Sequence, residues 1–317
     1  MKKLLLFSEE MTPRLHYAAE FFLGKMLGLE LNWTNEKPEF AQSSFVKINY
    51  SVSKISENEL FSPPSDLLFE QDIHARPINI GHWHDLPIFF ENDQPAADVP
   101  FDFLAASFWL ISRYEEYLPF KKDQHGRFAA TESLAFQNGF LEKPLIDLWA
   151  IEIGKILAVK FPNCTIGNRN FRFQLTYDID YAYAYLNKSF YRNTGGFLKD
   201  LLRFRLKNGW QRIAVSLGFQ KDPFDTFDYQ QSVHDKLGLM PAYFVHVGNY
   251  TGEPDAPIDF EEPGFRDLIK KLSEKYQVGI HPSYQSFNKT TVTDKEIKRL
   301  EEITNKPIVD SRQHFLL

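Results

Sequence analysis

The sequence of 317 residues predicts an α/β protein of two domains, covering residues 1–160 and 171–317. The length exceeds that of a typical single domain. Residues 161–170 contain Pro, Cys, Gly and several Asn and show no apolar periodicity, which marks a boundary. Beyond it, short apolar runs alternate with amphipathic helical patterns. We therefore expect an N-terminal α/β (or α+β) domain followed by βα units, whose parallel strands form an open sheet or a barrel.

The first hundred residues carry clear helix and strand signals. Lys3 to Phe7 is apolar and predicts a strand, and Thr12-Pro13 supplies an N-cap and a first-turn proline for a helix that runs to Leu27 and ends at Gly28. Residues 44–52 alternate as in a strand, whereas residues 54–100 are rich in Pro, Asn and Asp and predict short strands joined by loops.

Two more helices are expected before the boundary. Apolar residues recur at helical spacing over residues 101–117, which predicts a half-buried helix whose packed face includes Phe103, Phe108 and Ile111. A second helix is predicted over residues 144–159.

The second domain carries four candidate strands, and helices lie between them. Thr226 or Asp225 is expected to cap a helix that Gly238 ends, and Thr293 with Glu296 predicts a capping box for a helix running to Thr304. Right-handed βα crossovers would make the first and third strands parallel neighbours or near-neighbours. The four candidates are residues 172–177, 241–247, 277–281 and 307–310.

Composition excludes several classes of function. The chain has 36 Lys and Arg against 42 Asp and Glu, a net charge of −6, so nucleic acid is not an expected partner. No apolar run reaches the roughly 18 residues of a membrane span. Cys164 is the only cysteine, so an internal disulfide or a thiolate metal site is impossible. A reducing, cytoplasmic location is therefore expected.

Polar residues follow three of the predicted strands, in the segments Thr176–Asp180, Gly279–Tyr284 and Asp310–His314. Ligands and catalytic groups gather at this edge in α/β sheets and barrels. We expect a turn after the first strand to bring Asp178 and Asp180 to one site. One could then bind a divalent cation while the other accepts a proton. The alternative is a solvated turn, in which Asp is common.

Each of the other polar side chains has an ordinary alternative. His281 could ligate a metal or be a structural histidine, and Arg312 and His314 could serve the site or form a surface ion pair. His82 and His84 could form a metal pair, but an ordinary strand or loop explains them more simply.

In their order along the chain, Thr-Tyr-Asp-x-Asp, a strand-end His-Pro-Ser and Ser-Arg-x-His resemble the motifs of polysaccharide deacetylases of the NodB-like family. The resemblance implies a partial (β/α) deacetylase-type barrel over residues 171–317, with Asp178 as the catalytic base, Arg312 orienting it, and Asp180 and His281 as metal ligands. The second motif of the family has two metal-binding histidines. His281 matches the first, but Gln285 stands in place of the second, so His314 is expected to complete the set of metal ligands. The implied cofactor is a divalent metal, zinc by preference or cobalt, and the implied substrate is an acetylated carbohydrate.

The first domain also resembles the domain that precedes such barrels in some bacterial proteins, in residues 101–108 and 112–117. The family's barrel has seven or eight strands and only four are predicted here, so we expect a fragment that lacks the proton-donating histidine. Such a fragment could be inactive and could self-associate through an open sheet edge. Two alternatives remain: a non-catalytic barrel that binds carbohydrate or protein, and a metal-dependent hydrolase of non-sugar amides.

Overall fold

A computed structural model describes residues 3–167, 171–252 and 255–316. The chain divides into two compact units, Met1–Asn170 and Phe171–Leu317. Both are mixed α/β structures with parallel sheets. The last three residues of the predicted boundary segment, 168–170, lie outside the described residues.

The first unit is built on a parallel sheet of four strands, in the order Glu30–Thr34, Lys3–Phe7, Val46–Asn49 and Leu60–Phe61. As predicted, a helix follows the first strand: the Thr12 side chain accepts a hydrogen bond from the Leu15 amide, and the helix ends before Gly28, which has a φ of +68°. The elements are β1 (Lys3–Phe7), α1 (Pro13–Ala19) with a π-helical continuation (Glu20–Met26), β2 (Glu30–Thr34), α2 (Lys37–Gln42), β3 (Val46–Asn49) and β4 (Leu60–Phe61).

The remainder of this unit begins with the expected short strands and loops. A hairpin of β5 (Gly81–Trp83) and β6 (Leu86–Ile88) turns at His84 and Asp85, both of which have positive φ. Three helices follow, α3 (Phe103–Ile111), α4 (Leu134–Gln137) and α5 (Leu145–Lys160).

The structure corrects two details of the helix predicted over residues 101–117. The α-helix ends at Ile111 because Arg113 adopts a left-handed φ of 52°, and Tyr114–Tyr117 form a separate 3-10 turn. The helix is also more than half buried, since five successive residues from Phe103 to Ser107 are inaccessible to solvent. Phe103 of the predicted face lies in the core, whereas Phe108 packs only partly against it.

Asp102 holds α3 in place. Its carboxylate accepts hydrogen bonds from the Ala105 amide (3.0 Å), the Tyr50 hydroxyl (2.7 Å), and the amide and hydroxyl of Ser65 (2.6 and 2.9 Å). One buried side chain thus caps the helix and joins it to two other segments. Burial raises the pKa of Asp102, although its donors oppose the rise.

The second unit is built on a parallel sheet of three strands with helices between them. The elements are β7 (Thr176–Ile179), α6 (Phe190–Leu202), α7 (Leu206–Ser216), α8 (Phe227–Leu237), β8 (Ala242–Val245), α9 (Pro263–Lys275), β9 (Gln277–Ile280) and α10 (Thr290–Thr304). The strand order is β7-β8-β9, so β7 and β9 are parallel near-neighbours, as predicted, with β8 between them. No described helix is long and apolar enough to cross a membrane.

Three predictions for this unit need correction. The first strand begins at Thr176 instead of residue 172, and the strand predicted at residues 307–310 is reduced to a single parallel bridge between Ile280 and Ser311. Glu296 lies inside α10 rather than in a capping box, because its buried carboxylate accepts the Ser283 amide (3.0 Å). The described strands form an open sheet, which is one of the two arrangements expected.

The helix predicted to end at Gly238 forms as expected. Gly238 has a φ of +65° and occupies the C-cap of α8. Thr226 stands at the N-cap position, but its hydroxyl accepts a hydrogen bond from the Gln230 side chain (2.9 Å) instead of capping the helix.

Candidate metal centre

Asp178 and Asp180 lie on either side of the end of strand β7. The strand continues through Asp178 to Ile179, whose side chain is buried. Asp180 follows in a bend, where the sequence predicted a turn. The two carboxylates have different partners: Arg312 for Asp178, and His281 with His314 for Asp180.

His281 directly follows β9 and is almost fully buried. Its amide donates to the Val245 carbonyl (2.9 Å), which ties the residue to the end of β8. The Nδ1 atom lies 2.6 Å from the Arg312 carbonyl oxygen. A carbonyl can only accept, so Nδ1 carries the proton and Nε2 presents a lone pair, which is the usual arrangement of a metal-ligating imidazole.

His314 lies at the start of a 3-10 turn (His314–Leu316), and its amide donates to the Pro282 carbonyl (3.3 Å). Its Nδ1 atom is 3.0 Å from His281 Nε2 and 3.3 Å from Asp180 Oδ1. The third side of this triangle, from His281 Nε2 to Asp180 Oδ1, is 3.1 Å. Three donor atoms from three segments of the chain thus face one point.

The donor set fits a divalent metal. Zinc bonds of about 2.0–2.1 Å at tetrahedral angles place ligand atoms roughly 3.3 Å apart, close to the three separations observed. Oδ1 of Asp180 is inaccessible to solvent and makes no hydrogen bond of acceptable geometry within the described part of the chain. A buried carboxylate oxygen without a partner is costly unless a cation or donor satisfies it.

Charge coupling within the cluster agrees with its geometry. His281 and then His314 lower the pKa of Asp180, although burial opposes this. Burial acts to lower the pKa of His281, but Asp180, the Arg312 carbonyl and the charge of Asp178 together raise it. The cluster therefore favours a charged carboxylate beside the two rings.

Asp178 and Arg312 form a second pair beside this cluster. Arg312 Nη1 lies 3.2 Å from Asp178 Oδ1, and both side chains remain partly exposed. The guanidinium also lies over the Phe244 ring, 5.0 Å from its centroid, which restrains its orientation. Because the Arg312 carbonyl holds the His281 ring, the five predicted site residues form one connected group.

His246 and Asp255 also belong to this site, although the sequence reasoning did not select them. His246 directly follows β8; its Nδ1 donates to the His281 carbonyl (3.2 Å), and its ring stacks on that of His314 at 5.5 Å. Its Nε2 lies 3.6 Å from Asp255 Oδ1, and both side chains are buried. Burial lowers the pKa of His246 to about 4, so the ring is neutral and supports the His281 backbone.

Three residues considered above take no part in the cluster. Gln285 has an exposed side chain, and its amide donates to Asp255 Oδ2 (3.0 Å). His82 and His84 lie in the β5–β6 hairpin of the first unit, as the simpler explanation predicted. The only group of three or more potential ligands in the described residues is Asp180, His281 and His314.

Comparisons with known proteins concern the first unit. No curated protein and no solved structure matches the chain. Residues 4–162 match the model of a family of unknown function, DUF7033, and all the residues of the candidate metal centre lie beyond this segment. The match covers half of the chain, and the protein therefore belongs to the DUF7033 family.

Proposed function

We propose that the protein is a divalent-metal-dependent hydrolase that removes acetyl groups from a carbohydrate. The observation that carries the proposal is the triangle of donor atoms, 3.0–3.3 Å apart, contributed by Asp180, His281 and His314. Zinc is the expected ion and cobalt the nearest substitute, since one carboxylate and two imidazoles suit either.

Asp178 is the proposed general base. A metal held by the three ligands would polarise the acetyl carbonyl and lower the pKa of the attacking water. Asp178 lies two residues before Asp180 and is partly exposed, so a substrate and its water can approach it. The ion pair with Arg312 orients this carboxylate for the role of proton acceptor.

The motif resemblance gives the proposal its substrate class. Two of the three matching segments, Thr176–Asp180 and Gly279–Tyr284, lie at the ends of parallel strands, which supports the polysaccharide deacetylase resemblance. The third, Asp310–His314, joins the same sheet through a single bridge at Ser311. Strands β7, β8 and β9 would then be the first strands of a deacetylase-type barrel. The sole cysteine, Cys164, is unpaired, which favours a reducing, cytoplasmic setting.

A non-catalytic binding module is the second candidate, and one observation favours it. Gln285 replaces the histidine of the resembling motif, and its exposed side chain stands outside the cluster. A site that keeps a metal or a sugar without turning it over would have this appearance.

Metal binding and acetate release separate the two candidates. Zinc affinity is measured by calorimetry after chelator treatment, and acetate release is followed on a panel of acetylated amino sugars and acetylated polysaccharides. We expect Asp180→Ala and His281→Ala to weaken zinc binding by more than the roughly 10–100-fold typical of losing an outer-shell partner. Asp178→Asn should bind zinc normally and lose about 10²–10⁴-fold in rate.

A matched control is His82→Ala with His84→Ala, which removes two histidines of the first unit and should alter neither zinc affinity nor rate. Zinc and sugar binding without acetate release across the panel would favour the binding module. If the wild-type protein does not bind zinc, both the proposed metal centre and the proposed deacetylase activity are rejected.

A further inference from the structure

Helices α6 and α7 form a hairpin whose tip exposes large apolar side chains. Phe204, Leu202 and Trp210 are 90%, 80% and 70% exposed. Leu206, next to the turn, is exposed as well, and no described residue covers this surface. Isolated exposed apolar residues are ordinary, but a group of this size marks a contact surface.

The helices are held together by other residues, so these apolar side chains are not needed for the hairpin itself. Between the helices, Arg212 donates to the Asp200 carboxylate (3.1 Å) and the Asn193 side chain (3.2 Å). Gly209 lies against the Phe197 ring so closely that a Cβ would approach it to 3.2 Å. The exposed apolar side chains at the tip are therefore available to contact a binding partner.

The turn between the helices presents the apolar residues together. Phe204 adopts a left-handed φ of 55°, and the Arg205 amide donates to the Asp200 carbonyl (2.8 Å), which closes the turn within three residues. An apolar groove of about 210 Å³ lies beside it, lined in part by Leu201, Leu206 and Trp210.

Basic side chains surround this apolar tip. Lys199, Arg203, Arg205 and Lys207 are exposed, and none has a carboxylate partner among the residues that the structure describes. The single acid of the segment, Asp200, is buried and paired within the hairpin. Four unpaired cations thus stand on one tip of a chain whose net charge is −6.

We propose that the α6–α7 hairpin docks on the surface of an anionic phospholipid bilayer. Alternating apolar and basic residues, with Trp and Phe among them, are the composition by which amphipathic helices lie in a membrane interface. Cations close to the surface attract anionic headgroups, while the apolar side chains enter the boundary with the acyl chains. The docking is peripheral and adds a site that is independent of the metal centre.

Binding to vesicles tests the proposal. The wild-type protein should co-sediment with vesicles of phosphatidylglycerol and phosphatidylcholine, should bind vesicles of phosphatidylcholine alone much less, and should dissociate as salt is added. Each cation near an anionic surface strengthens binding about fivefold. Replacing Arg203, Arg205 and Lys207 by Gln should therefore weaken binding by roughly a hundredfold.

A matched control neutralises three exposed lysines elsewhere in the same unit, Lys270, Lys295 and Lys298, on α9 and α10. This control changes the net charge equally and should leave vesicle binding within about twofold of the wild type. The double variant Phe204→Ser with Trp210→Ser tests the apolar part and should also lose binding. Circular dichroism establishes that each variant is folded.

Three results would overturn the proposal. The first is equal loss of vesicle binding in the tip variant and the α9–α10 control, and the second is no vesicle binding by the wild-type protein. The third is self-association of a protein that does not bind vesicles, seen by sedimentation equilibrium and abolished by Phe204→Ser with Trp210→Ser. The tip would then be an interface between copies of the chain.

Discussion

Asp222 clamps the loop that follows the candidate metal centre. Its buried carboxylate accepts four backbone N–H groups: those of Ala184 and Phe224 on Oδ1, both at 2.9 Å, and those of Tyr185 and Leu186 on Oδ2, at 2.8 and 3.0 Å. Hydrogen bonds to a charged group contribute about 1.5–3 kcal/mol each. The four share one carboxylate and the amides can partly rehydrate, so we expect Asp222→Ala to lower the free energy of unfolding by about 3–5 kcal/mol.

The matched control is Asp228→Ala in the same unit. Asp228 is exposed and meets Lys221 and Lys271 in surface ion pairs. Such pairs contribute about 0–1 kcal/mol, so this variant should be nearly as stable as the wild type. Urea unfolding followed by circular dichroism measures both, and hydrogen exchange should show faster opening of the amides at residues 184–186 in Asp222→Ala alone.

The effect should also depend on pH. Burial acts to raise the pKa of Asp222, but the four backbone donors outweigh it and hold the pKa below its ordinary value of 3.8. A lowered carboxyl pKa stabilises the folded state above the ordinary value, and this contribution is lost as pH falls through the folded-state pKa. The unfolding free energies of Asp222→Ala and Asp228→Ala should therefore become equal in strong acid. Equal unfolding free energies of Asp222→Ala and Asp228→Ala at neutral pH would refute the clamp.

Three further predictions follow from single residues. Asp102→Ala removes a helix cap and leaves a buried hydroxyl without an acceptor, so it should cost about 2–4 kcal/mol by urea unfolding; a change below 0.5 kcal/mol, within ordinary surface-mutant scatter, would contradict this. Gly238→Ala should cost about 1–2 kcal/mol at its left-handed φ, whereas Gly195→Ala in the open interior of α6 should stabilise by up to about 1 kcal/mol; the same sign for both would be inconsistent. In metal-free protein, the raised pKa of His281 beside Asp180 stabilises the folded state below the ordinary His pKa, and this stability is lost as pH rises through the folded-state pKa. Zinc affinity should rise over the same pH interval, because the imidazole must lose its proton to bind the metal. Melting temperatures and calorimetric zinc affinities that do not change with pH would contradict this prediction.

Local signals predicted most of the regular structure. The first strand, the Thr12 cap and the left-handed ends at Gly28 and Gly238 depend on residues adjacent in sequence, and each forms where expected. The strand predicted at residues 307–310 does not form, because a strand requires pairing along its length and only Ser311 pairs with β9.

Tertiary contacts overrode two other local signals. Glu296 has the spacing of a capping box but meets the Ser283 amide, which is distant in sequence. The helix over residues 101–117 has the period of a half-buried helix, yet the aromatic core that surrounds it buries most of it. The left-handed conformation of Arg113 ends the helix earlier than predicted. Propensity gives way where a buried polar group or a packed core sets the contacts.

The site residues that the sequence did and did not indicate share one position in the fold. Asp180, His246 and His281 each directly follow a strand of the same parallel sheet, β7, β8 and β9 respectively. The first and third were selected because they lie in recognisable motifs. His246 lay inside the strand predicted over residues 241–247, whereas the strand ends at Val245 and His246 follows it. Since parallel strands bring their carboxyl ends to one edge, a histidine after the central strand must lie between the residues that follow the outer two. The same rule, applied to every strand of the sheet without regard to motifs, would have identified His246 as part of the site.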